Sequence, residues 1–155
     1  MKRKKMSELT PRQKELRREK TLMNKLQKDA DKLWHKVVIK KYGATCFFHD
    51  HQMSAKNHIR TAVNCHHFKP KGMYPELRYD IENGIPMCWP CHFKLEQSDP
   101  SMREEIMLKR GNEWYLSLMK RSGIKKSFKN IEYYNKTIKI LEEKLNLGSE
   151  NNDKL

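Results

Sequence analysis

With 155 residues, the chain has room for one compact domain of ordinary size with tails or arms. Its 37% hydrophobic and 34% charged residues predict a small core, which usually needs a staple such as a structural metal. No stretch approaches the roughly 20 apolar residues of a membrane span, and no apolar segment follows the charged start Met1-Lys2-Arg3-Lys4-Lys5, so neither a membrane protein nor a secreted one is expected.

The net charge of +14 is unevenly spread. Residues 1–41 carry 15 Lys+Arg against 5 Asp+Glu, residues 42–99 carry six of each, and residues 100–155 carry 12 against 8. Basic flanks around a neutral centre suit arms that hold a polyanion while the centre acts on it. Four cysteines without an export signal favour thiolate ligands over disulfides, and a reducing cytoplasm as the compartment.

Along the chain, residues 1–10 read as a disordered basic tail. Thr10-Pro11 opens a basic helical arm over 11–43, with Thr10 as N-cap and Pro11 at the first helical position. Leu22, Leu26, Ala30, Leu33 and Val37 recur at steps of three and four as its apolar stripe, and Gly43 suits its C-cap. Between Thr45 and Asn64 lies a loop bearing Cys and His. Residues 62–68 have strand character, a connection with Pro70 and Pro75 follows, and Gly84 to Met87 is a second strand. Residues 91–97 form a short helix. This hairpin and helix belong to a central unit over 44–99.

Over 100–147, Ser101-x-x-Glu104 resembles a capping box for a helix that stops near Gly111. Asn112 can cap the next helix, with Trp114, Leu118 and Met119, and Gly123 breaks the pattern. A last amphipathic helix shows Ile131, Tyr134, Ile138, Leu141 and Leu145 on one face, as expected of a docked or paired helix. Residues 148–155 read as a disordered tail. The fold class expected is α+β: a small β-hairpin and helix, stapled by metal and flanked by basic helices.

The central unit carries the chemistry. Cys88-Trp89-Pro90-Cys91 is a C-x2-C knuckle, and a structural zinc takes four N or S ligands supplied in short-spaced pairs. The second pair is expected from Cys46 with His49, whose spacing matches, or with His51 in its place. Cys65 reads as a small buried strand residue. His66, His67 and His92 form the second group, with Asn83 between them. Hydrolysis of a phosphodiester needs an activated water, which a neutral imidazole supplies by taking a proton, and a divalent cation to stabilise the leaving oxygen. Neighbouring strand residues point to opposite sides, so His66 and His67 are expected in different roles. Arg78 in the connection either clamps a phosphate or pairs with Asp80 or Glu82. Lys69, Lys71, Arg17 and Arg18 are further candidates for nucleic-acid contact. Trp89, Trp114 and Tyr115 read as packing residues.

The set His67, Asn83 and His92 with Cys88-x2-Cys91 resembles the HNH endonucleases, whose fold is a ββα-metal unit. His66-His67-Phe68, Leu77-Arg78-Tyr79-Asp80 and Asn83-Gly84-Ile85-Pro86-Met87-Cys88 are similar, more narrowly, to phage recombination nucleases of the NinG (Rap) type. The resemblance implies that His67 is the general base and that His66 and His92 ligate a catalytic Mg2+ or Mn2+. Asn83 would orient the loop and the base. The structural Zn2+ would be separate, on Cys46, His49, Cys88 and Cys91. His66 stands where many relatives carry Asp, which shifts the metal preference toward softer ions. Implied too are DNA as partner, with branched recombination intermediates as substrates, and a bacterial host cell if the chain is phage-encoded. Branched DNA has near two-fold symmetry, so a junction-cleaving enzyme is expected to act as a homodimer. The alternative is a non-catalytic zinc module that binds nucleic acid.

Overall fold

The structure, a computed structural model, describes residues 9–48, 62, 64–97, 100–123 and 130–147. It is α+β and mostly helical. The order is α1 (Pro11–Tyr42), β1 (Asn64–His67), β2 (Gly84–Met87), α2 (Trp89–Glu96), α3 (Pro100–Arg110), α4 (Asn112–Arg121) and α5 (Ile131–Asn146).

One uninterrupted helix, α1, spans the whole arm. Thr10 caps it by accepting from the Gln13 amide at 3.3 Å, and Gln13 Oε1 accepts from the Thr10 amide at 3.0 Å. Gly43 ends it at φ 84°, a conformation that favours glycine. Only the second half of α1 is packed: Ala30, Trp34, Val37 and Val38 are buried, whereas Leu22 is 44% exposed. The stripe expected from Leu22 onward thus becomes core only from Ala30 on, where Trp34 and Val38 widen it. What limits it is α5. Tyr134 of α5 donates to Gln27 and Leu145 O accepts from Lys40, so the shorter α5 runs alongside the second half of α1 in the same direction. The docking expected of the last helix is met by Tyr134, Thr137 and Leu141, all buried.

Antiparallel β1 and β2 pair Asn64 with Met87, Cys65 with Pro86, His66 with Ile85 and His67 with Gly84. Opposed residues share a face, so the register sorts the hairpin cleanly. Cys65, His67 and Gly84 face α1, and His66 and Ile85 face α2 and α3. Gly84 is required by close approach, since a Cβ there would lie 2.5 and 2.8 Å from the two Val38 methyls. Two indoles hold the connection to the scaffold. Trp34 donates to Asp80 O and Trp114 to Glu82 O, each at 3.0 Å.

Two caps differ from expectation. Ser101 lies inside α3, which begins at Pro100, because proline suits a first helical turn. Asn112 is the first residue of α4, and Gly111 (φ 84°) precedes it as the cap. Residues 1–8, 49–61 and 148–155 fall outside the described residues, and with them both terminal tails but for 9–10, as well as His49 and His51. No helix among the described residues is long and apolar enough to cross a membrane.

Candidate metal centre and histidine site

Cys88 is the N-cap of α2 and Cys91 lies in its first turn, so the C-x2-C spacing places both sulfurs at one helix end. The third thiol arrives through a backbone bond: the Phe47 amide donates to Pro86 O at 2.8 Å, laying the Cys46 segment beside β2. The ligand atoms of Cys46, Cys88 and Cys91 lie within 4.8 Å of one another, and all three residues are buried. None of the three is in a disulfide. Burial, and after it the neighbouring thiols, push the thiols of Cys46 and Cys91 upward. Three soft donors this close can hold a metal ion, and a cation would convert them to thiolates. Cys65 stands apart, its Sγ 3.8 Å from His35 O and its thiol pushed up to about 12 by burial. It lies in β1 as expected but is half-buried rather than buried.

The histidines separate as strand alternation requires. His66 faces α2, its ring centroid 5.3 Å from that of His92 at an interplanar angle of 74°. His67 points the other way and stacks on Trp34, with centroids 4.0 Å apart and planes within 9°. His67 Nε2 lies 2.8 Å from Arg78 O. A carbonyl can only accept, so Nε2 carries the proton and Nδ1 keeps the lone pair of the neutral ring. Burial is the largest influence holding His66 and His67 near pKa 4, aided at His66 by His92, His67 and Arg103. Both are neutral at physiological pH. His92 Nδ1 is buried without a hydrogen-bond partner, 3.6 Å from Glu96 Oε1 one turn on.

Asn83 is fully buried and wholly occupied with the backbone. Its Oδ1 accepts from the Lys69 amide at 2.7 Å, and its Nδ2 donates to Lys69 O and Leu77 O, both at 3.0 Å. The side chain clips both ends of the connection together, and that connection presents Arg78 O to His67.

Several other expectations change. The Arg78 guanidinium forks onto Asp31 of α1 at 2.9 and 2.7 Å, not onto Asp80 or Glu82 and not toward a phosphate. Its carbonyl, rather than its charge, reaches the site. The Lys69 ammonium lies over the rings of Phe68, Tyr74 and Tyr115 at 5.6, 5.4 and 4.8 Å, which leaves it caged rather than extended. Lys71 is exposed and near enough to His67 to disfavour its protonation. Arg17 and Arg18 lie on the exposed first half of α1. Trp89 is 60% exposed, which corrects its reading as a packing residue; Trp114 and Tyr115 do pack against the core. Sequence reasoning missed Arg103. It donates to Phe68 O at 3.0 Å and acts electrostatically on His66. Nothing in the sequence near α3 marks it, because only the tertiary fold brings α3 beside β1.

No protein-family model, curated protein or solved structure matches this chain.

Proposed function

We propose that the chain is a metal-dependent endonuclease of the HNH, ββα-metal type, hydrolysing phosphodiester bonds of DNA. The observation that carries this reading is the divergence of the three histidines around one clamped hairpin. His66 and His92 converge from strand and helix, while His67 is held neutral with its proton fixed on Nε2. That is a pair able to share a cation and, on the other face of the same hairpin, a group able to take a proton.

In this reading Cys46, Cys88 and Cys91 hold a structural zinc, with His49 as fourth ligand. The zinc fixes the first turn of α2 and therefore His92. His66 and His92 hold a catalytic Mg2+ or Mn2+, which when bound supplies charge for the phosphorane and the leaving oxygen. His67 Nδ1 takes the proton of the attacking water, and Arg78 O keeps the tautomer that leaves Nδ1 free for it. Asn83 holds the connection that carries Arg78. Arg103, beside His66, neutralises the phosphate. The exposed basic half of α1 grips flanking backbone, an affinity that falls steeply with salt. The substrate favoured is branched recombination DNA, cut by a homodimer.

A non-catalytic zinc module remains the competing reading, and one observation favours it: the stack of His67 on Trp34 is an ordinary packing arrangement. Incubation of zinc-loaded protein with supercoiled plasmid and with a four-way junction, with added Mg2+, Mn2+ or EDTA, separates them. Metal-dependent cutting, with preference for the junction, is expected; an intact plasmid and junction under every metal condition refutes the nuclease.

A further inference from the structure

The face of α2 that carries His92 is aromatic where a surface helix is usually polar. Trp89, His92, Phe93 and Glu96 follow one another at helical spacing, whereas Cys91 and Leu95 turn into the core. Trp89 is 60% and Phe93 50% exposed. Their centroids are 6.2 Å apart, and the Trp89 ring lies 6.2 Å from that of His92 with planes within 17°. The aromatic row thus runs unbroken from Phe93 through Trp89 and His92 to His66. Trp89 also sits between Cys88 and Cys91 of the cysteine cluster, where a bound metal ion would fix the first turn of α2 in place. Arg103 flanks the far end of the row, and the chain as a whole carries +14.

We propose that Trp89 and Phe93 are a stacking platform for an unpaired nucleobase next to the His66–His92 pair. In a regular duplex the base faces cover one another, so an exposed ring can stack only where a strand is single or a junction has opened. Surface charge draws the phosphate backbone in without regard to sequence, and the platform then selects for unstacked structure. This deepens the nuclease reading and rests on it for the expectation that the captured strand is the one cut.

The test is fluorescence anisotropy with zinc-loaded full-length protein and no added Mg2+ or Mn2+, so that binding is read whether or not the chain cuts. The probes are labelled oligothymidylate and a hairpin duplex of equal length. Trp89→Ala should weaken binding to the single strand roughly 5- to 150-fold, the range of one base–aromatic stack, and leave the duplex nearly unchanged. Trp89→Tyr should restore most of the loss, and Phe93→Ala, which lies clear of the metal cluster, should show a smaller loss of the same kind. Three results would overturn the proposal. One is equal single-strand affinity for wild type, Trp89→Ala and Phe93→Ala. Another is a loss shared equally by single strand and duplex. The last is a change of oligomeric state in sedimentation with oligonucleotide affinity intact, which would make the row an interface between protein chains.

Discussion

Replacing Asn83 probes the clip on which the proposed base depends. The side chain is fully buried and satisfies three backbone groups: the amide and carbonyl of Lys69 and the carbonyl of Leu77. Asn83→Ala strands the two Lys69 groups, whereas Leu77 O still accepts from the Asp80 amide at 3.2 Å. A buried polar group left unpaired costs about 1–3 kcal/mol, and the two Lys69 groups are only partly buried, so a total of about 2–4 kcal/mol is expected. With a urea slope of about 1.5–2 kcal/mol per molar, the unfolding midpoint should fall by about 1–2 M. Asn83→Asp separates the hydrogen bonds from the packing, because it keeps the shape and the acceptor for the Lys69 amide. It also turns an anionic oxygen toward two carbonyls 3.0 Å away. Protonation relieves that conflict, so the folded state raises the pKa of the new carboxyl. The variant should therefore be least stable at neutral pH and should regain stability relative to wild type as pH falls toward the carboxylate range. Urea unfolding of zinc-loaded wild type, Asn83→Ala and Asn83→Asp at pH 7.5 and pH 5 measures both effects. Coincident midpoints for all three proteins would refute the clip.

Gly84→Ala should cost about 1–3 kcal/mol by overpacking against the Val38 methyls, and a Val38→Ala partner change should recover part of it in a double-mutant cycle. Metal analysis should find one zinc per chain, lost in Cys88→Ser and Cys91→Ser but retained in Cys65→Ser, which lies outside the cluster; a zinc-free wild type would contradict the knuckle. Burial disfavours ionisation of Glu82, but hydrogen bonds from Lys41 and Tyr42 and the charges of Lys41 and Arg110 outweigh it and hold its carboxyl below the usual range. A depressed folded-state pKa contributes stability above the ordinary carboxylate range that is lost as pH falls through the folded value. Acidification from pH 6 to pH 3 should thus destabilise wild type more than Glu82→Gln, and parallel pH profiles would remove this contribution.

What could be read from the sequence was what local spacing dictates. The C-x2-C pair fixes two sulfurs at a helix end, Thr10-Pro11 starts α1, and strand alternation parts His66 from His67. The unread part depended on which surfaces meet. Trp34 lies outside the helical stripe, yet it stacks on His67 and donates to Asp80 O, contacts made across 33 and 46 positions of chain. Arg78 invited a reading through its charge, but Asp31 on a distant helix takes the charge and the backbone carbonyl serves the site. Arg103 carries no local signal at all. Trp89 is exposed against expectation because the short α2 turns Cys91 and Leu95 into the core instead.

The central claim is that His67 acts on the bond being broken rather than merely packing against Trp34. Single-turnover cleavage of a four-way junction by wild type and His67→Gln, at saturating Mn2+ and with zinc content and DNA affinity measured on the same samples, tests it most directly. Glutamine can still donate to Arg78 O but is no base at neutral pH, so it separates packing from proton transfer. The cleavage rate should fall by about 10²–10⁴-fold with zinc and affinity retained. Unchanged cleavage in His67→Gln, or none in a folded, zinc-loaded wild type, would contradict it.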